Sequence, residues 1–384
     1  MTMQVPFNRS FLTGDEEKFI QEILVSKKFS GNNEFTKKCQ ELIQQKFGAK
    51  KVLLTPSCTD ALEMGALLFN LKPGDEVIMP SYTFSSTANA VCLRGAKPVF
   101  VDIRPDTLNI DEEKIEEKIT EKTKGIIPVH YGGISAEMNK INEIAKKHNL
   151  FVFEDAAQGV NSKYNGQYLG TLGDLGAYSF HETKNYSCGE GGAIIINDEK
   201  FVNRAEILWE KGTDRCQVIK GVKDKYSWED LGSSFLLSDI LAAFLYAQLL
   251  NKDRIQELRK KVYERYYQEL LILEEEGLLQ LPKIPPECTP NYHSFFILLK
   301  DEQLLDEFLK EMKSFGVNAY IGYVPLHLST MGKKYGYHEG DFPITEDIFK
   351  RIVRLPFYTD MTSEEQESAI DNIKKTLRRF KKRC

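Results

Sequence analysis

One lysine, in the segment Ser179–Asn185, could act as a nucleophile. The segment reads Ser-Phe-His-Glu-Thr-Lys-Asn, follows an apolar run that predicts a strand, and precedes the glycine-rich stretch Gly189–Gly192. Loops at strand ends carry the chemistry of open α/β folds. A partly desolvated lysine beside other cations can lose its proton and form a Schiff base with an aldehyde or ketone. Lys184 is therefore the candidate nucleophile, although a lysine taken alone is more often an ordinary solvated side chain.

A carboxylate ends another apolar run, which predicts a second strand. Phe151–Phe153 is followed by Glu154, Asp155 and small residues. At the carboxyl edge of a sheet, Asp155 could hold a heteroaromatic nitrogen in its protonated form. Pyridoxal phosphate needs such a partner, because its ring is an electron sink only while the pyridine nitrogen carries a proton. The alternative for Asp155 alone is a helix cap.

Two further segments could bind parts of such a cofactor. Thr55–Asp60 joins a predicted strand to a helix, so its hydroxyls and free backbone N–H groups could bind a phosphate, or could simply cap the helix. Pro80–Thr87 brings aromatic side chains to the end of the next strand, where one could stack on a ring. Gly189–Ile194 lacks the third glycine of a dinucleotide fingerprint and precedes a strand, and the chain has no Walker A motif.

Predicted strands and helices alternate along the first 250 residues, and they must position the candidate site residues. Short apolar runs predict strands at 51–54, 76–79, 98–101, 125–129 and 150–153, and periodic segments predict helices at 58–70, from 85, at 111–120 and at 136–148. Two helices, to about Val25 and at 35–47, precede them. This order indicates βαβ units and a mostly parallel sheet covered on both faces.

The rest of the chain predicts a smaller α+β domain. Helices are expected at 199–211, within 239–277, at 301–315 and at 363–379, with strands at 294–299 and 318–323. We predict a large α/β domain at 1–250, and at 251–384 a linking helix with the small domain.

The composition limits the classes of molecule that the protein is expected to bind. The 384 residues include 51 basic and 56 acidic side chains, for a net charge of -5, which disfavours nucleic-acid or membrane-surface binding. Seven scattered cysteines suggest no zinc site or disulfide framework. This scatter leads us to expect no metal. No signal peptide or membrane span is apparent, so we expect a cytoplasmic protein.

The combined motifs resemble the sugar aminotransferases of the DegT/DnrJ/EryC1/StrS family across essentially the whole chain. The segments that carry the resemblance are Pro80–Asn89, Glu154–Gln158, Ser179–Lys184 with Gly189–Gly192, and Pro325–His327. The resemblance implies a fold-type I pyridoxal-phosphate enzyme that is a homodimer with shared active sites.

The resemblance also assigns roles to single residues. Lys184 would form the Schiff base, Asp155 would pair with the pyridine nitrogen, and Gln158 would contact the ring hydroxyl. Phe84 would stack on the ring, and Cys58, Thr59 and Ser179 would bind the phosphate, Cys58 through its backbone N–H. Many members place an Asn on the phosphate of the neighbouring subunit's cofactor; here Ser234 takes that position and Leu236 replaces the Arg that follows, which weakens this assignment.

The reaction implied is transfer of the amino group of L-glutamate to the 4-keto carbon of dTDP-4-keto-6-deoxy-D-glucose, giving the galacto 4-amino sugar. His327 and Tyr323 could line the sugar pocket, and Arg215 or Lys211 could bind the diphosphate. A 3-keto substrate, the gluco epimer and a non-catalytic cofactor-binding regulator remain alternatives. The related dehydratases have a histidine in place of the lysine, so Lys184 argues against dehydration.

Overall fold

The structure is a computed structural model that describes residues 3–382, so residues 1, 2, 383 and 384 of the predicted domains lie outside it. The helices are α1 Glu16–Ser26, α2 Glu34–Phe47, α3 Cys58–Leu68, α4 Ser85–Cys92, α5 Met138–His148, α6 Val202–Trp209, α7 Arg215–Ile219, α8 Asp239–Leu250, α9 Lys252–Glu275, α10 Leu305–Ser314, α11 Thr330–Lys334, α12 Pro343–Arg351 and α13 Ser363–Lys381. The strands are β1 Lys51–Thr55, β2 Glu76–Pro80, β3 Lys97–Val101, β4 Thr123–Ile126, β5 Phe151–Asp155, β6 Lys163–Tyr164, β7 Gln167–Tyr168, β8 Leu175–Ser179, β9 Gly192–Ile196, β10 Leu279–Gln280, β11 Cys288–Thr289, β12 Phe296–Leu299 and β13 Ile352–Arg354.

A seven-stranded sheet forms the centre of the N-terminal part. Its order is β1-β9-β8-β5-β4-β2-β3, and only β9 runs against the others. Two apolar cores cover its two faces; one includes side chains of α2, α5 and α8, and the other side chains of α3, α4 and α6. Every residue of β8 and β9 is buried, as expected for strands covered on both faces. The predicted mostly parallel α/β sheet is confirmed.

The sheet brings the sequence-predicted segments to one edge. β1, β5 and β8 point the same way, so Thr55, Asp155 and Ser179 all end at this edge. Antiparallel β9 begins there, and Gly192 pairs with Thr55 on one side and with Ser179 on the other. The functional loops therefore leave the sheet as neighbours.

A third apolar core lies in the C-terminal part. It packs α9, α10 and α13 against the antiparallel sheet β10-β12-β13, and it includes Val5 from the start of the chain. Val5 forms a parallel bridge with Val317. The N-terminal segment thus packs with the C-terminal core, and the division at residue 250 stays a prediction.

Two predicted elements are wrong. The expected helix at 111–120 is a pair of 3-10 turns, Glu112–Lys114 and Glu116–Lys118, because Ile115 and Ile119 are the only apolar side chains in this charged segment and are too few to form the apolar stripe of a helix. The expected strand at 318–323 is reduced to a single bridge between Tyr320 and Arg354, because the chain then turns toward the edge that carries the functional loops.

Candidate active site

A cavity of about 350 Å³ lies at this edge of the sheet, between the large sheet and the C-terminal part. This volume is within the range of small-molecule sites. Eight of the residues singled out from the sequence line it: Cys58, Thr59, Phe84, Asp155, Gln158, Ser179, Lys184 and Tyr323. Residues that are up to 265 positions apart in the chain therefore share one site.

The start of α3 forms the candidate phosphate subsite. Ser57 caps the helix by accepting a hydrogen bond from the backbone N–H of Asp60 at 3.0 Å. The next backbone N–H groups, of Cys58 and Thr59, belong to the first turn, where helices bind anions. Thr59 Oγ1 lies 2.8 Å from Ser86 Oγ, and Ser179 is buried beside them in the cavity wall. Burial raises the pKa of the Cys58 thiol well above its usual value, which leaves the backbone as its anion-binding group.

Gly192 lets β9 approach this helix start. A Cβ at position 192 would lie 2.4 Å from the backbone nitrogen of Cys58 and 2.4 Å from the carbonyl carbon of Ser57. No side chain fits there without moving the helix start. The glycine is thus needed for the shape of the anion subsite.

We predict that Gly192→Ala weakens pyridoxal phosphate binding by about 10- to 100-fold, since overpacking of about 1–3 kcal/mol falls directly on the subsite. Fluorescence titration of the apoenzyme with cofactor measures the change. Gly125→Ala is the matched control, because its Cβ would clash with the Phe151 ring at the far end of the sheet. Equal losses of affinity in both variants would contradict the local role of Gly192.

Asp155 is a buried carboxylate without a cationic partner among residues 3–382. Its Oδ2 accepts a hydrogen bond of 2.7 Å from Thr87 Oγ1, and its Oδ1 accepts one of 3.2 Å from the backbone N–H of Ala157. These two bonds fix the orientation of the carboxylate. The carboxylate also lines the cavity, so it can accept a further hydrogen bond from a ligand.

Lys184 is half-buried in the cavity wall, and no carboxylate in the described part of the chain forms an ion pair with it. Its loop is held by backbone bonds from Lys184 N to His181 O and from Glu182 N to Gly189 O, at 2.9 and 2.8 Å. The next residue, Asn185, donates to Asn291 O at 2.7 Å. The backbone of this lysine is therefore fixed while its amino group stays available.

The remaining predicted ring contacts also lie in the cavity. Phe84 is 56% exposed at the start of α4, with its ring centroid 5.9 Å from that of Tyr323. Gln158 donates from Nε2 to the Tyr323 hydroxyl at 3.1 Å, and its Oε1 accepts from Gly132 N at 2.7 Å. Gln158 thus joins Tyr323 to the wall that carries Asp155.

Four predicted site residues do not line this cavity: His327, Arg215, Ser234 and Lys211, of which Lys211 lies 3.8 Å from Glu210. His327 is fully buried, with Nδ1 2.6 Å from Ser81 Oγ and Nε2 3.0 Å from Glu346 Oε1, so the expectation that it lines the sugar pocket is wrong for this cavity. Arg215 is exposed on α7 and lies 3.7 Å from Glu210. Ser234 is exposed, and its backbone forms an isolated antiparallel β-bridge with Glu210. The contact predicted for Ser234 is with the cofactor of a neighbouring subunit, and it stays a prediction.

One wall of the cavity, contributed by the C-terminal part and the chain start, was not predicted from the sequence. Phe7, Asn8, His293, Ser294 and Arg354 all line the cavity. His293 Nδ1 lies 2.9 Å from Asn185 Oδ1, which joins this wall to the lysine loop. Burial and the charges of Lys184, Arg259 and Arg354 lower the pKa of His293 well below its usual value, so its imidazole is neutral. The short apolar run that precedes Leu355-Pro356 predicts a strand, and the position of Arg354 at its end was the only sign in the sequence that this residue could reach a site.

Comparison with known proteins decides the family. The profile of the DegT/DnrJ/EryC1/StrS aminotransferase family matches residues 12–374. The chain belongs to this family. The family's enzymes are sugar aminotransferases that depend on pyridoxal phosphate, so the predicted fold type, enzyme class and cofactor are confirmed.

Three similar proteins illustrate the family's range. The chain is 36% identical over 367 residues to a protein named pleiotropic regulatory protein from Geobacillus stearothermophilus, covering 94% of each. It is 30% identical over 366 residues to GDP-perosamine synthase from Escherichia coli O157:H7, covering 94% of this chain and 95% of the relative. The crystal structure of the aminotransferase TlmJ from Streptoalloteichus hindustanus superposes with a TM-score of 0.90 at 28% identity, covering 98% of this chain and all of that one.

The cavity fits the family's cofactor. It combines an anion subsite whose shape requires glycine at position 192, a fixed carboxylate at Asp155 and a lysine that forms no ion pair. These groups match a phosphate, a ring nitrogen that must stay protonated, and an aldehyde. Within residues 3–382 no group of three or more His, Cys, Asp or Glu side chains could hold a metal ion, and no helix there has the length and apolar character to cross a bilayer.

Proposed function

We propose that the protein transfers the amino group of L-glutamate to the 4-keto carbon of dTDP-4-keto-6-deoxy-D-glucose. The product is dTDP-4-amino-4,6-dideoxy-D-galactose, for a cell-surface polysaccharide. The observation that carries transamination is that one cavity is lined both by Lys184 and by the fixed carboxylate of Asp155. The choice of sugar is supported by segments 51–59, 128–131, 181–186 and 232–235, which resemble dTDP-4-amino-4,6-dideoxygalactose transaminases.

Different side chains of the cavity have different roles in the proposed transamination. Pyridoxal phosphate, when bound, supplies the electron sink and carries the amino group between the two substrates. Lys184 Nζ removes a proton from the α-carbon of the donor and later delivers one to the sugar carbon that receives nitrogen. Asp155 keeps the ring nitrogen protonated, and the start of α3 with Ser179 holds the phosphate. The face from which Lys184 delivers its proton sets the configuration of the new amine.

Two copies of the chain are proposed to share their active sites. An exposed apolar segment, 219–231, carries Ile219, Val222, Tyr226, Trp228 and Leu231, of which Trp228 is 78% exposed. Exposed apolar clusters of this kind mark interaction surfaces. Ser234 follows directly, so a dimer that buries this segment would bring Ser234 and Arg215 toward a neighbouring site. We also propose a cytoplasmic location, which fits the six free thiols among the described residues.

NMR of the reaction product tests the sugar assignment. We expect the purified enzyme, incubated with L-glutamate and dTDP-4-keto-6-deoxy-D-glucose, to give an axial amine at C4, recognised by small couplings between H4 and its neighbours. The 3-keto isomer and GDP-4-keto-6-deoxy-D-mannose serve as comparison substrates, the second because one relative is a GDP-perosamine synthase. An equatorial amine, or faster turnover of either comparison substrate, would contradict the assignment.

A regulator that binds the cofactor without turnover is the second candidate, and it is favoured by the name of one relative, the pleiotropic regulatory protein of Geobacillus stearothermophilus. The two functions differ in their response to L-glutamate alone. A transaminase converts the cofactor's absorbance to that of the aminated form and releases 2-oxoglutarate. Absence of this change with every amino acid tested would leave the regulator as the better account.

A further inference from the structure

His293 is a buried imidazole with one unused nitrogen on the cavity wall. It is 7% exposed and lines the cavity. Its Nδ1 lies 2.9 Å from Asn185 Oδ1, and Asn185 Nδ2 donates to Asn291 O, so the Asn185 oxygen can only accept and Nδ1 must carry the ring proton. The neutral ring then has a lone pair on Nε2. Within residues 3–382 this nitrogen has no hydrogen-bond donor, and the protein does not enclose it.

The backbone at His293 is held from behind the cavity wall. Arg259 on α9 donates from Nη2 to His293 O at 2.6 Å and from Nε to Tyr292 O at 2.9 Å. Tyr292 has a left-handed φ of 55°, a conformation that is unfavourable for a residue with a bulky side chain. Because the imidazole is also bonded to Asn185, His293 is fixed at both its backbone and its ring. The lone pair of Nε2 is therefore presented to the cavity in one orientation.

Lys184 is the donor that fits this lone pair best. Burial, and then the charge of Lys184 ahead of those of Arg259 and Arg354, lowers the pKa of His293. Arg259 already donates to two backbone carbonyls, and Lys184 directly precedes the Asn185 that is bonded to the imidazole. The other titratable side chains that line the cavity are Cys58, Asp155, His181, Glu190, Tyr323 and Arg354.

Proton transfer gives Lys184 additional N–H groups that need an acceptor. When Nζ takes the proton from the α-carbon of the donor, the C–H electron pair stays with the carbon and Nζ becomes an ammonium with three N–H donors. Within residues 3–382 no carboxylate forms an ion pair with Lys184, and Arg354 adds a like charge to the same cavity. A neutral imidazole nitrogen can accept a hydrogen bond from this ammonium, whereas a charged imidazole would repel it.

We propose that His293 is a positioning residue for Lys184: its Nε2 accepts a hydrogen bond from the Lys184 ammonium and holds the proton-loaded side chain until the proton is delivered. The proposal rests on the transaminase function, in which Lys184 moves both protons. Hydrogen bonds from a charged donor are the stronger ones, so this contact stabilises the state that forms when the proton leaves carbon. One N–H fixed on the wall also sets the directions of the other two.

Nitrogen NMR of the apoenzyme, prepared with isotopically labelled histidine, tests the contact without the cofactor. A donor bonded to Nε2 moves the resonance of this nitrogen from the position of a free lone pair toward that of a protonated nitrogen. We expect the displaced resonance in the wild type and its return to the free position in Lys184→Met. Arg354→Met is the control, because Arg354 also offers N–H donors in the cavity, and it should leave the resonance displaced. The His293 signal is identified by its loss in His293→Gln.

Two amide variants separate a role toward Lys184 from a structural role. His293→Asn keeps an N–H where Nδ1 donates to Asn185 but has no acceptor at the position of Nε2, whereas His293→Gln reaches that position with an amide oxygen and gives up the bond to Asn185. Both variants, loaded with cofactor, are mixed with L-glutamate without sugar. We expect His293→Asn to aminate the cofactor about 10- to 100-fold more slowly than the wild type, as for a lost hydrogen bond to a charged group, and His293→Gln to recover part of the rate.

A purely structural His293 would give the opposite order, with His293→Asn close to the wild type and His293→Gln slow, and this order would overturn the proposal. So would an Nε2 resonance that does not respond to Lys184→Met, or one that responds only to Arg354→Met. If His293→Asn does not fold, the NMR comparison of the wild type with Lys184→Met decides alone. Failure of the wild-type enzyme to be aminated by L-glutamate would remove the proposed function, whereas the NMR comparison would still decide whether His293 accepts from Lys184.

Discussion

Replacing Lys184 with alanine is expected to lower kcat for transamination by about 10³- to 10⁴-fold, because the variant loses the group that moves both protons. Lys184 forms no ion pair in the described structure, so its removal should leave the fold intact. Single-turnover kinetics with L-glutamate measures the loss, and thermal melting checks the fold.

Chemical rescue distinguishes proton transfer from a structural role. Small primary amines added to Lys184→Ala should restore part of the rate, since they can enter the cavity and act as the base. A role in proton transfer requires two results from the slow Lys184→Ala variant: it must melt at the wild-type temperature, and its rate must rise when amine is added. A variant that keeps more than about a tenth of the wild-type rate would exclude Lys184 as the essential base.

Replacing Asp155 with asparagine is expected to lower kcat by about 10²- to 10³-fold, in the range seen when one preorganised electrostatic partner is removed. Asparagine keeps the shape: its Oδ1 can still accept from Ala157 N, and its Nδ2 would donate to the Thr87 hydroxyl, where the aspartate accepts from Thr87 Oγ1 at 2.7 Å and from Ala157 N at 3.2 Å. It lacks the negative charge that keeps a ring nitrogen protonated. Steady-state kinetics and the absorbance of the bound cofactor measure the effect.

Asp102→Asn is the matched control for Asp155→Asn. Asp102 is also buried just after a strand, and its carboxylate accepts from Thr345 N and Thr345 Oγ1 at 2.8 and 2.7 Å. It does not line the cavity, so the control variant should lose stability but keep kcat once folded. Comparable losses of kcat in the two variants would assign the effect of Asp155 to folding.

The site residues that were predicted from the sequence lie at or just after the ends of strands. Asp155 and Ser179 follow apolar runs, and parallel strands bring such ends together at one edge. Lys184 follows Ser179 after five residues, so its loop had little freedom to leave that edge. The cavity contains all three residues, with Gly192 between β1 and β8 as their close neighbour.

The part that was missed depends on tertiary packing. Arg354 and His293 reach the cavity only because the C-terminal core packs over the sheet edge, and no periodicity in the chain reports that contact. Phe7 arrives with a segment anchored by the bridge between Val5 and Val317. His327 was misplaced for the opposite reason: its partners, Ser81 and Glu346, are distant in sequence and enclose it in the interior.

The electrostatic pattern of the cavity follows from these two sources. The sheet edge supplies Asp155 and Lys184, and the packed C-terminal wall adds Arg354 beside a neutral His293. The charged groups that line the cavity thus come from separate parts of the chain.

Mass spectrometry of peptides from the borohydride-reduced, cofactor-saturated protein tests the central claim most directly. Reduction fixes the cofactor to whichever amine it has joined. We predict a single modified peptide that carries the mass of the reduced cofactor on Lys184. An unmodified Lys184, or a cofactor fixed to a different lysine, would contradict the account.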